Sequence, residues 1–342
     1  MVSFKNIKVY FYCLMLVCFT VLVACSQQKS EVHFSGPTMG TTYNVKYVAS
    51  SDVTPEQLKS EIDSELVDIN QLMSTYIEDS ELSRFNQWHS VEPFPLSEQT
   101  LFVMAEAKRL GEISEGVLDV TVGPLVNLWG FGPNARPDKI PTDAEVLQAK
   151  NRVGLEKLEL SSTSAKKTHE DLYVDLSTIA KGYGVDRLAE ILASHDIENY
   201  LVEVGGEMRL SGKKVNGQQW RIAIEKPLSQ ERAVERIISV GNNAVATSGD
   251  YRIYYEEDGV RYSHLIDPTI GKPINHNLVS VTVVHPSSMT ADGLATALNV
   301  MGKDKALKLA EDRGLAVLLI TKEQSGFKEY TSSKFDELVT IH

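Results

Sequence analysis

The sequence D-L-S-T-I-A-K-G-Y-G-V occupies residues 175–185 and predicts the start of a helix that is buried in the fold. Asp175 opens it, and Lys181 follows six positions later, directly behind the apolar Ile179 and Ala180. On a helix this arrangement tends to turn the lysine inward. A solvated lysine needs no such setting, whereas a lysine that holds a phosphate or the edge of a bound ring does. Lys181 is therefore a candidate ligand-binding residue.

Length and composition predict a folded globular protein with a sizeable core. The chain has 342 residues, of which 42% are hydrophobic and 23% are charged, and these values are ordinary for globular proteins. The formal net charge is −12. Because non-specific binding of nucleic acid needs a basic face, this charge argues against a nucleic-acid partner. A local basic pocket for a phosphorylated ligand remains compatible with it.

Residues 1–24 are predicted to be a bacterial lipoprotein signal peptide. Lys5 and Lys8 precede an uncharged apolar run, Val9–Val23, and the leader ends in the tetrapeptide L-V-A-C. A positive start, a short apolar run and small residues before a cleavage point are typical of a secretory signal. L-V-A-C resembles a lipobox, in which Cys25 is lipidated. The alternative is an uncleaved membrane anchor, although the run is shorter than the ~20 residues that a spanning helix prefers.

The leader also predicts where the body of the protein lies. With either interpretation the body is outside the cytoplasm, and we expect it to face the periplasm from the inner membrane, joined to its lipid by a polar tether over residues 25–33. Ser26 stands where an inner-membrane retention signal would have Asp, so sorting to an outer membrane remains an alternative.

Cysteine usage limits the chemistry of the body. Cys13, Cys18 and Cys25 all lie in the leader, so residues 34–342 contain no thiol. In an oxidising compartment this excludes a structural disulfide, a cysteine-ligated metal and a cysteine nucleophile from the body. Oxygen, nitrogen and backbone groups must therefore do its chemistry.

Residues 34–342 are predicted to form one large α+β domain of mixed sheets and helices. From Leu158 onward strands and helices alternate, and no fixed-period repeat, low-complexity block or long linker divides the chain. The domain could form two lobes around a ligand cleft. The predicted strands are 41–48, 172–176, 200–204, 220–224, 236–240, 278–284 and 315–320, and the predicted helices are 55–73, 97–113, 178–194, 289–301 and 303–313.

The stretch M-T-A-D-G-L-A-T, residues 289–296, contains a candidate metal site. Asp292 and Thr296 are four residues apart, so on a helix they share a face one turn apart. One carboxylate and one hydroxyl suit a hard cation that keeps waters and takes further ligands from a substrate phosphate, as Mg²⁺ does. The alternative is that Asp292 caps the first helical turn and Thr296 is simply buried.

Two further stretches have both a functional and a structural interpretation. His264 ends a predicted strand before the turn D-P-T-I-G, where it could act as a base with a near-neutral pKa or only hydrogen-bond the turn. The pair Gly205-Gly206, in V-E-V-G-G-E-M-R, permits close approach of a ligand to the backbone or forms a hairpin corner. The dinucleotide, Walker, G-x-S-x-G and H-E-x-x-H fingerprints are absent from the sequence.

Together these stretches resemble one family, the ApbE-like flavin transferases, also called FAD:protein FMN transferases. The motifs that carry the resemblance occur in family order from about residue 34 to the C-terminus: P-T-M-G-T-T-Y, S-T-Y-I-E-D-S-E-L-S-R-F-N, L-D-V-T-V-G-P-L-V-N-L-W-G-F-G, D-L-S-T-I-A-K-G-Y-G-V-D, V-E-V-G-G-E-M-R, S-H-L-I-D-P-T-I-G-K-P and M-T-A-D-G-L-A-T-A-L. Each motif is weak alone, and the ordered set is highly specific.

The resemblance implies a lipid-anchored or exported enzyme that splits FAD in a Mg²⁺-dependent reaction. It would transfer FMN through a phosphoester bond to a Ser or Thr hydroxyl of an acceptor protein and release AMP. The family suggests, as acceptors, subunits of sodium-pumping quinone reductases or related electron-transfer complexes of the inner membrane.

The resemblance also implies the residues of the site. The residues that would contact FAD are Met39, Tyr76, Val117, Leu118, Asp119, Asp175, Lys181 and Ile266. Asp292 and Thr296 would hold Mg²⁺, with Thr178 and position 295 beside the ion. Position 178 is often Gly or Ala in the family, so the backbone carbonyl of Thr178 would serve as a ligand. Ala295 replaces a carboxylate that some relatives have, so only its backbone oxygen or a water could act there.

His264 is the candidate base for the acceptor hydroxyl, with Asp267 or Asp292 as less favoured bases. Mg²⁺ would neutralise the diphosphate and align the attack with the departure of AMP, and Lys181 would add positive charge. Two other functions remain open: an FAD pyrophosphatase that uses water as the acceptor, and a non-catalytic flavin-binding lipoprotein.

Overall fold

An eight-stranded antiparallel sheet is the centre of the fold. Its strand order is β1-β2-β6-β7-β10-β15-β16-β17, and every neighbouring pair is antiparallel. The strands are β1 (Glu31–Thr38), β2 (Thr41–Val48), β6 (Tyr200–Val204), β7 (Glu207–Ser211), β10 (Ala244–Gly249), β15 (Leu278–His285), β16 (Ala316–Glu323) and β17 (Gly326–Thr331).

The computed structural model describes residues 30–49, 53–132, 139–228, 233–251 and 253–342. The predicted signal peptide, the lipidation site Cys25 and most of the tether lie outside these residues. Residues 31–342 form one compact unit, in agreement with the predicted single α+β domain. Strand β1 begins at Glu31, so the last three residues of the predicted tether, 31–33, belong to the sheet. None of the helices within the described ranges is long and apolar enough to cross a membrane.

Smaller sheets surround the central one. Strands β3 (Phe94–Pro95), β4 (Leu158–Leu160) and β5 (Ser164–Lys167) form one three-stranded sheet, and β8 (Ile222–Glu225), β9 (Val234–Ser239) and β18 (Thr340–Ile341) form another. Two hairpins, β11 (Tyr254–Glu257) with β12 (Val260–Ser263) and β13 (Ile266–Asp267) with β14 (Lys272–Pro273), complete the described strands.

The described residues form nine α-helices and a short 3-10 helix at Leu155–Lys157. The α-helices are α1 (Pro55–Met73), α2 (Glu81–Gln87), α3 (Glu98–Ile113), α4 (Gly123–Leu128), α5 (Asp143–Lys150), α6 (Ala180–Ser194), α7 (Ser288–Met301), α8 (Lys303–Arg313) and α9 (Ser333–Leu338).

The local sequence determines where helix α1 begins. Thr54 and Gln57 form a capping box at its start, and Pro55 occupies the first helical position, where its missing N–H is not needed. The apolar stripe predicted for residues 55–73 is buried, and it packs on strand β2 through residues that include Tyr43 and Val45. The members of the stripe are Leu58, Ile62, Leu66, Ile69 and Met73.

Helices cover one face of the central sheet and a second sheet covers the other. Helix α1 contacts α6, and α6 contacts α7. Helix α7 also packs on β10 and β15. Alternation along β16 separates the two faces: Val317 and Leu319 belong to the helix-side core, whereas Leu318 and Ile320 pack with Trp220 beside β8 and β9. The helix-covered face therefore carries the two helices, α6 and α7, on which the predicted ligand-binding and metal-binding residues lie.

The predicted strand at 172–176 is wrong. This segment is extended but joins no sheet. Instead, the buried side chain of Asn86 makes both hydrogen bonds that a neighbouring strand would make: its Nδ2 donates to the Val174 carbonyl, and its Oδ1 accepts from the Val174 N–H, each at 2.8 Å. Other predicted strands and helices are present with end shifts of a few residues, and helix α6 begins at Ala180 rather than at 178.

We predict that Asn86→Ala destabilises the protein by about 2–4 kcal/mol, because it leaves a buried donor and a buried acceptor of Val174 without partners. Urea unfolding measures this change in the free energy of unfolding. The exposed Asn151 provides the control, since Asn151→Ala removes a similar side chain from the surface. Equal stability of the two variants would contradict the structural role of Asn86.

Candidate functional site

The candidate site lies where the β1–β2 turn and the β6–β7 turn meet the starts of helices α6 and α7. The β1–β2 turn places Met39 and Gly40 in the left-handed region, with φ of 47° and 69°. Met39 packs beside α6, since a Cβ added at Gly184 would lie 3.2 Å from the Met39 methyl carbon. The conformation of this turn therefore presents Met39 to the helix that carries Lys181.

Lys181 lies in the first turn of α6 and forms an ion pair with Glu207 at the start of β7. The lysine side chain keeps 30% of its surface exposed, whereas the Glu207 side chain keeps 4%. Burial alone would lower the pKa of the Lys181 ammonium, but the charges of Asp292 and Glu207 raise it well above its ordinary value. Lys181 is thus a cation that a ligand can reach, and its role in binding stays a prediction.

Asp292 is buried in α7 and faces the start of α6. Its Oδ2 accepts a hydrogen bond of 3.0 Å from the Gly182 N–H. Burial raises the pKa of the Asp292 carboxyl to about 7, with Lys181 opposing the shift and Glu207 adding to it. A Cβ at Gly182 would lie 2.4 Å from the Ser288 carbonyl oxygen, so only glycine lets the two helices approach this closely. This contact explains why a glycine, Gly182, follows Lys181 in the sequence.

The residues near Asp292 fit the Mg²⁺ ion that the resemblance implies. Thr296 lies one turn further along the same helix. Thr178, two residues before α6, has a buried hydroxyl without a hydrogen-bond partner, which is the state expected of a polar atom whose natural partner is a ligand. Ala295 is buried and contributes no side-chain donor. A single carboxylate with hydroxyl and carbonyl oxygens suits an ion that keeps waters.

The described ranges contain no group of three or more His, Cys, Asp or Glu residues arranged as a metal centre. The candidate Mg²⁺ site was predicted to contain one carboxylate, Asp292, and an ion in a site of that kind is held largely by substrate and water rather than by a protein cage.

Asp186 joins the two helices and was not singled out from the sequence. Its carboxylate accepts hydrogen bonds from the backbone N–H groups of Ser288 and Met289 at 2.9 and 3.0 Å and from the Ser287 hydroxyl at 2.7 Å. Arg209 of β7 donates to it at 2.8 Å. A carboxylate at a helix N-terminus is favourable because the first N–H groups have no helical partner. Asp186 therefore fixes α7, and with it Asp292, against α6.

The residues predicted to contact FAD at the other side of the site lie around Asp175. Its Oδ1 accepts from the backbone N–H and the hydroxyl of Ser177 at 2.9 and 2.7 Å, and its own N–H donates to the Val120 carbonyl at 2.7 Å. Tyr76 is 71% exposed, and partial desolvation and the charge of Asp175 raise its pKa. Tyr76 is thus an exposed ring near Asp175, available to a planar ligand.

The predicted stretch Val117–Asp119 serves mainly as packing. Leu118 is buried and lies beside α7, since its Cδ2 would be 3.4 Å from a Cβ at Gly293. Val117 packs with a cluster that includes Val300. Burial raises the pKa of Asp119, whose Oδ1 accepts two hydrogen bonds from Thr121. If this stretch contacts a ligand, the buried Leu118 can do so only through its backbone.

His264 is held by Ile253, the residue before β11, rather than by the D-P-T turn. Its Nδ1 lies 3.0 Å from the carbonyl oxygen of Ile253. Because a carbonyl only accepts, Nδ1 carries the proton and Nε2 of the neutral ring is free to accept one. Burial lowers the pKa of His264, and the charge of Lys181 lowers it further. The ring therefore bonds another segment than the turn named in the structural interpretation, and Nε2 remains available for the role of a base.

Ile266, the remaining predicted FAD contact, is buried in β13. Its side chain belongs to a hydrophobic cluster with Leu125 and Trp129, and β13 contacts α7. As with Leu118, a contact between Ile266 and a ligand would have to come from the backbone.

Comparison with known proteins connects this geometry to one family. The sequence model of the ApbE family matches residues 39–319. The FAD:protein FMN transferase of Vibrio cholerae is 56% identical over 316 residues, which cover 92% of this chain and 95% of the relative. The FAD:protein FMN transferase of Haemophilus influenzae is 50% identical over 325 residues, which cover 93% of this chain and 94% of the relative.

Solved structures agree with the sequence relatives. The flavin transferase ApbE from Vibrio cholerae superimposes with a TM-score of 0.85 at 56% identity and covers 91% of this chain and 99% of its own. The apo form of the flavinyl transferase ApbE from Pseudomonas stutzeri also has a TM-score of 0.85, at 39% identity, and covers 92% of this chain and 98% of its own.

The raised pKa of Asp292 predicts how stability depends on pH when no metal is bound. Because the folded-state pKa, about 7, lies above the ordinary value of 3.8, the unfolded chain loses this proton first as pH rises. The contribution of Asp292 to the free energy of unfolding is therefore favourable in acid and is lost as pH approaches and passes 7.

We expect Asp292→Asn, which resembles the protonated acid, to have only a slightly higher thermal midpoint than the wild type at pH 5, because the unfolded wild-type chain already ionises this group above pH 3.8. At pH 8 its thermal midpoint should exceed the wild-type value by about 2–6 °C. Thermal unfolding of chelator-treated protein at both pH values measures this difference. A variant that is less stable than wild type at pH 8 would contradict the charge cost assigned to Asp292.

Proposed function

Because the chain belongs to the ApbE family, we propose that it transfers the FMN half of FAD to a Ser or Thr hydroxyl of an acceptor protein and releases AMP. Relatives that share about half of its residues are named for this activity. The observation that carries the proposal is the junction of α6 and α7, where the cation Lys181 and the candidate metal ligand Asp292 lie close together, with the buried, unpartnered hydroxyl of Thr178 two residues before α6. Such a junction suits a diphosphate.

The proposed reaction is a displacement at phosphorus. The acceptor oxygen attacks the phosphorus on the FMN side of the diphosphate, a new phosphoester bond forms, and the bond to the bridging oxygen breaks. AMP leaves with the bridging oxygen. A bound Mg²⁺ supplies charge neutralisation and alignment of the phosphates, and the residues that would hold it are Asp292, Thr296 and the oxygens of Thr178, with Ala295 beside it.

The protein's own groups orient the substrate and move the proton. Lys181 contributes a fixed positive charge to the phosphates, which counters their repulsion of the incoming oxygen. His264 takes the proton of the acceptor hydroxyl on Nε2, because Nδ1 is occupied by the Ile253 carbonyl. The lowered pKa of His264 keeps the ring unprotonated near neutral pH, as a base requires. We propose that Met39, Tyr76 and Asp175 contact the rest of FAD.

We further propose that the protein is a lipoprotein attached through Cys25 to the inner membrane, facing the periplasm. The leader sequence supports this, with its basic start, apolar run and lipobox-like end. The acceptors we propose are subunits of membrane redox complexes such as sodium-pumping quinone reductases, as the resemblance suggests.

The proposed transfer is tested by incubating the protein with FAD, Mg²⁺ and a purified candidate acceptor. We expect mass spectrometry to find an FMN adduct on a Ser or Thr of the acceptor, and an equal amount of AMP. We expect His264→Ala to slow the transfer by about 10²–10⁴-fold at saturating FAD and Mg²⁺. The surface residue His89, whose side chain is 67% exposed, provides the control substitution His89→Ala.

Two outcomes would contradict this function, and a third would contradict only the role of His264. Release of FMN and AMP at the same rate without an acceptor would indicate a pyrophosphatase. Bound FAD with no AMP under any condition would indicate a non-catalytic flavin carrier. Transfer at the wild-type rate by His264→Ala would exclude His264 as the base and leave the transferase function in place.

The lipid anchor is tested by fractionating cells that express the wild type or Cys25→Ala. We expect the wild type in the inner-membrane fraction and the variant outside the membrane fractions or unprocessed, because a thioether-linked lipid needs the cysteine sulfur. A Cys18→Ala variant is the matched control within the leader. A Cys25→Ala protein that is processed like the wild type and is equally membrane-associated would contradict lipidation at Cys25.

A further inference from the structure

Glu207 is a buried carboxylate that none of the motif-based predictions used. It is the first residue of β7 and keeps 3% of its surface exposed. It forms the ion pair with Lys181, and the backbone N–H of Thr247, on the neighbouring strand β10, lies close enough to its carboxylate to favour the charged form. The carboxylate is therefore directed at one lysine.

Lys181 has three carboxylates within electrostatic reach, Asp292, Glu207 and Glu203, and the structure shows which one it binds. Both Asp292 and Glu207 act on its charge. The lysine contacts Glu207, whereas Asp292 receives the Gly182 N–H. Among the ion pairs of the described residues, none joins Lys181 to Asp292. Of these two buried acids, Glu207 therefore pairs with the lysine, and Asp292 is left without an ion pair to it.

The turn before Glu207 guides the stem of the lysine to this partner. Gly205 has a φ of 58°, which favours glycine. A Cβ at this position would lie 3.2 Å from Lys181 Cδ and 2.8 Å from Thr41 Cγ2. The aliphatic stem of Lys181 thus passes across Gly205 and reaches Glu207 just beyond it. The Gly205-Gly206 pair forms a hairpin corner, which was one of the two interpretations of this sequence. Gly205 also leaves room for the aliphatic part of the Lys181 side chain.

We propose that Glu207 is a positioning residue that holds Lys181 away from Asp292, so that Asp292 stays available to a divalent cation and Lys181 stays directed at the phosphates of FAD. This inference rests on the proposed function. Without the negative charge of Glu207, Asp292 is the remaining buried partner for the ammonium, and a buried charge is strongly driven to find a partner. A Lys181–Asp292 pair would then compete with the cation for the same carboxylate.

The proposal is tested by equilibrium binding, independently of turnover. FAD binding without acceptor is followed by flavin fluorescence over a series of MgCl₂ concentrations, and the concentration that half-maximally tightens FAD binding is recorded. For Glu207→Gln we expect this concentration to rise about tenfold or more, which is the usual effect of removing a group that orients a metal ligand.

A second variant separates positioning from damage to the fold. Lys181→Met/Glu207→Gln removes both members of the buried pair, a change that proteins tolerate better than loss of one member. We expect its half-maximal Mg²⁺ concentration to return toward the wild-type value, because no lysine remains to occupy Asp292. Its FAD affinity should stay as weak as that of Lys181→Met. A purely structural role of Glu207 would not produce this recovery.

Glu203→Gln is the matched control for charge. Glu203 lies on the same hairpin and acts on Lys181 from a distance, but its carboxylate hydrogen-bonds Asn44 and the Gly206 N–H instead. An equal rise in Glu203→Gln and Glu207→Gln, no rise in Glu207→Gln, or no recovery in the double variant would each overturn the positioning role and leave the proposed transferase function intact. If Mg²⁺ does not affect FAD binding by the wild type, the metal part of the proposed function fails and this inference fails with it.

Discussion

The buried lysine at the start of α6 is the constraint on which the site depends. An ammonium in this position is stable only if carboxylates are brought to it, because an unpaired buried charge costs several kcal/mol. Lys181, Glu207 and Asp292 come from a helix, a strand and a second helix, so their meeting fixes three elements relative to one another. The glycines at 182 and 205 permit the close approaches that this meeting needs.

The charges of Lys181, Glu207 and Asp292 favour the binding of a ligand more than they stabilise the empty fold. Glu207 and Asp292 together outnumber the single lysine, and burial makes the charged form of Asp292 unfavourable. The hydroxyl of Thr178 is also buried without a partner. A bound cation with phosphate oxygens would pair the excess negative charge and the free hydroxyl. The free energy that these groups cost the empty site would then contribute to ligand binding.

The sequence predicted the parts of the fold that depend on periodicity, and it missed those that depend on distant partners. The stripe of α1 and the one-turn spacing of Asp292 and Thr296 are local, and both lie on helices as expected. Residues 172–176 have the composition of a strand, but the side chain of Asn86, 88 residues away, takes the place of a strand partner. Glu207 could not be identified, because its partner Lys181 lies 26 residues away on another element.

The strand order of the central sheet has a consequence for biosynthesis. The hairpin that presents Met39 is made early, but Asn44 of its second strand pairs with a residue 159 positions later, and α7 follows only at Ser288. Loop closure over such separations is slow, and an unpaired strand edge invites wrong pairing. The site therefore cannot form until α7 has been made, and a product that ends before Ser288 lacks the helix that carries Asp292.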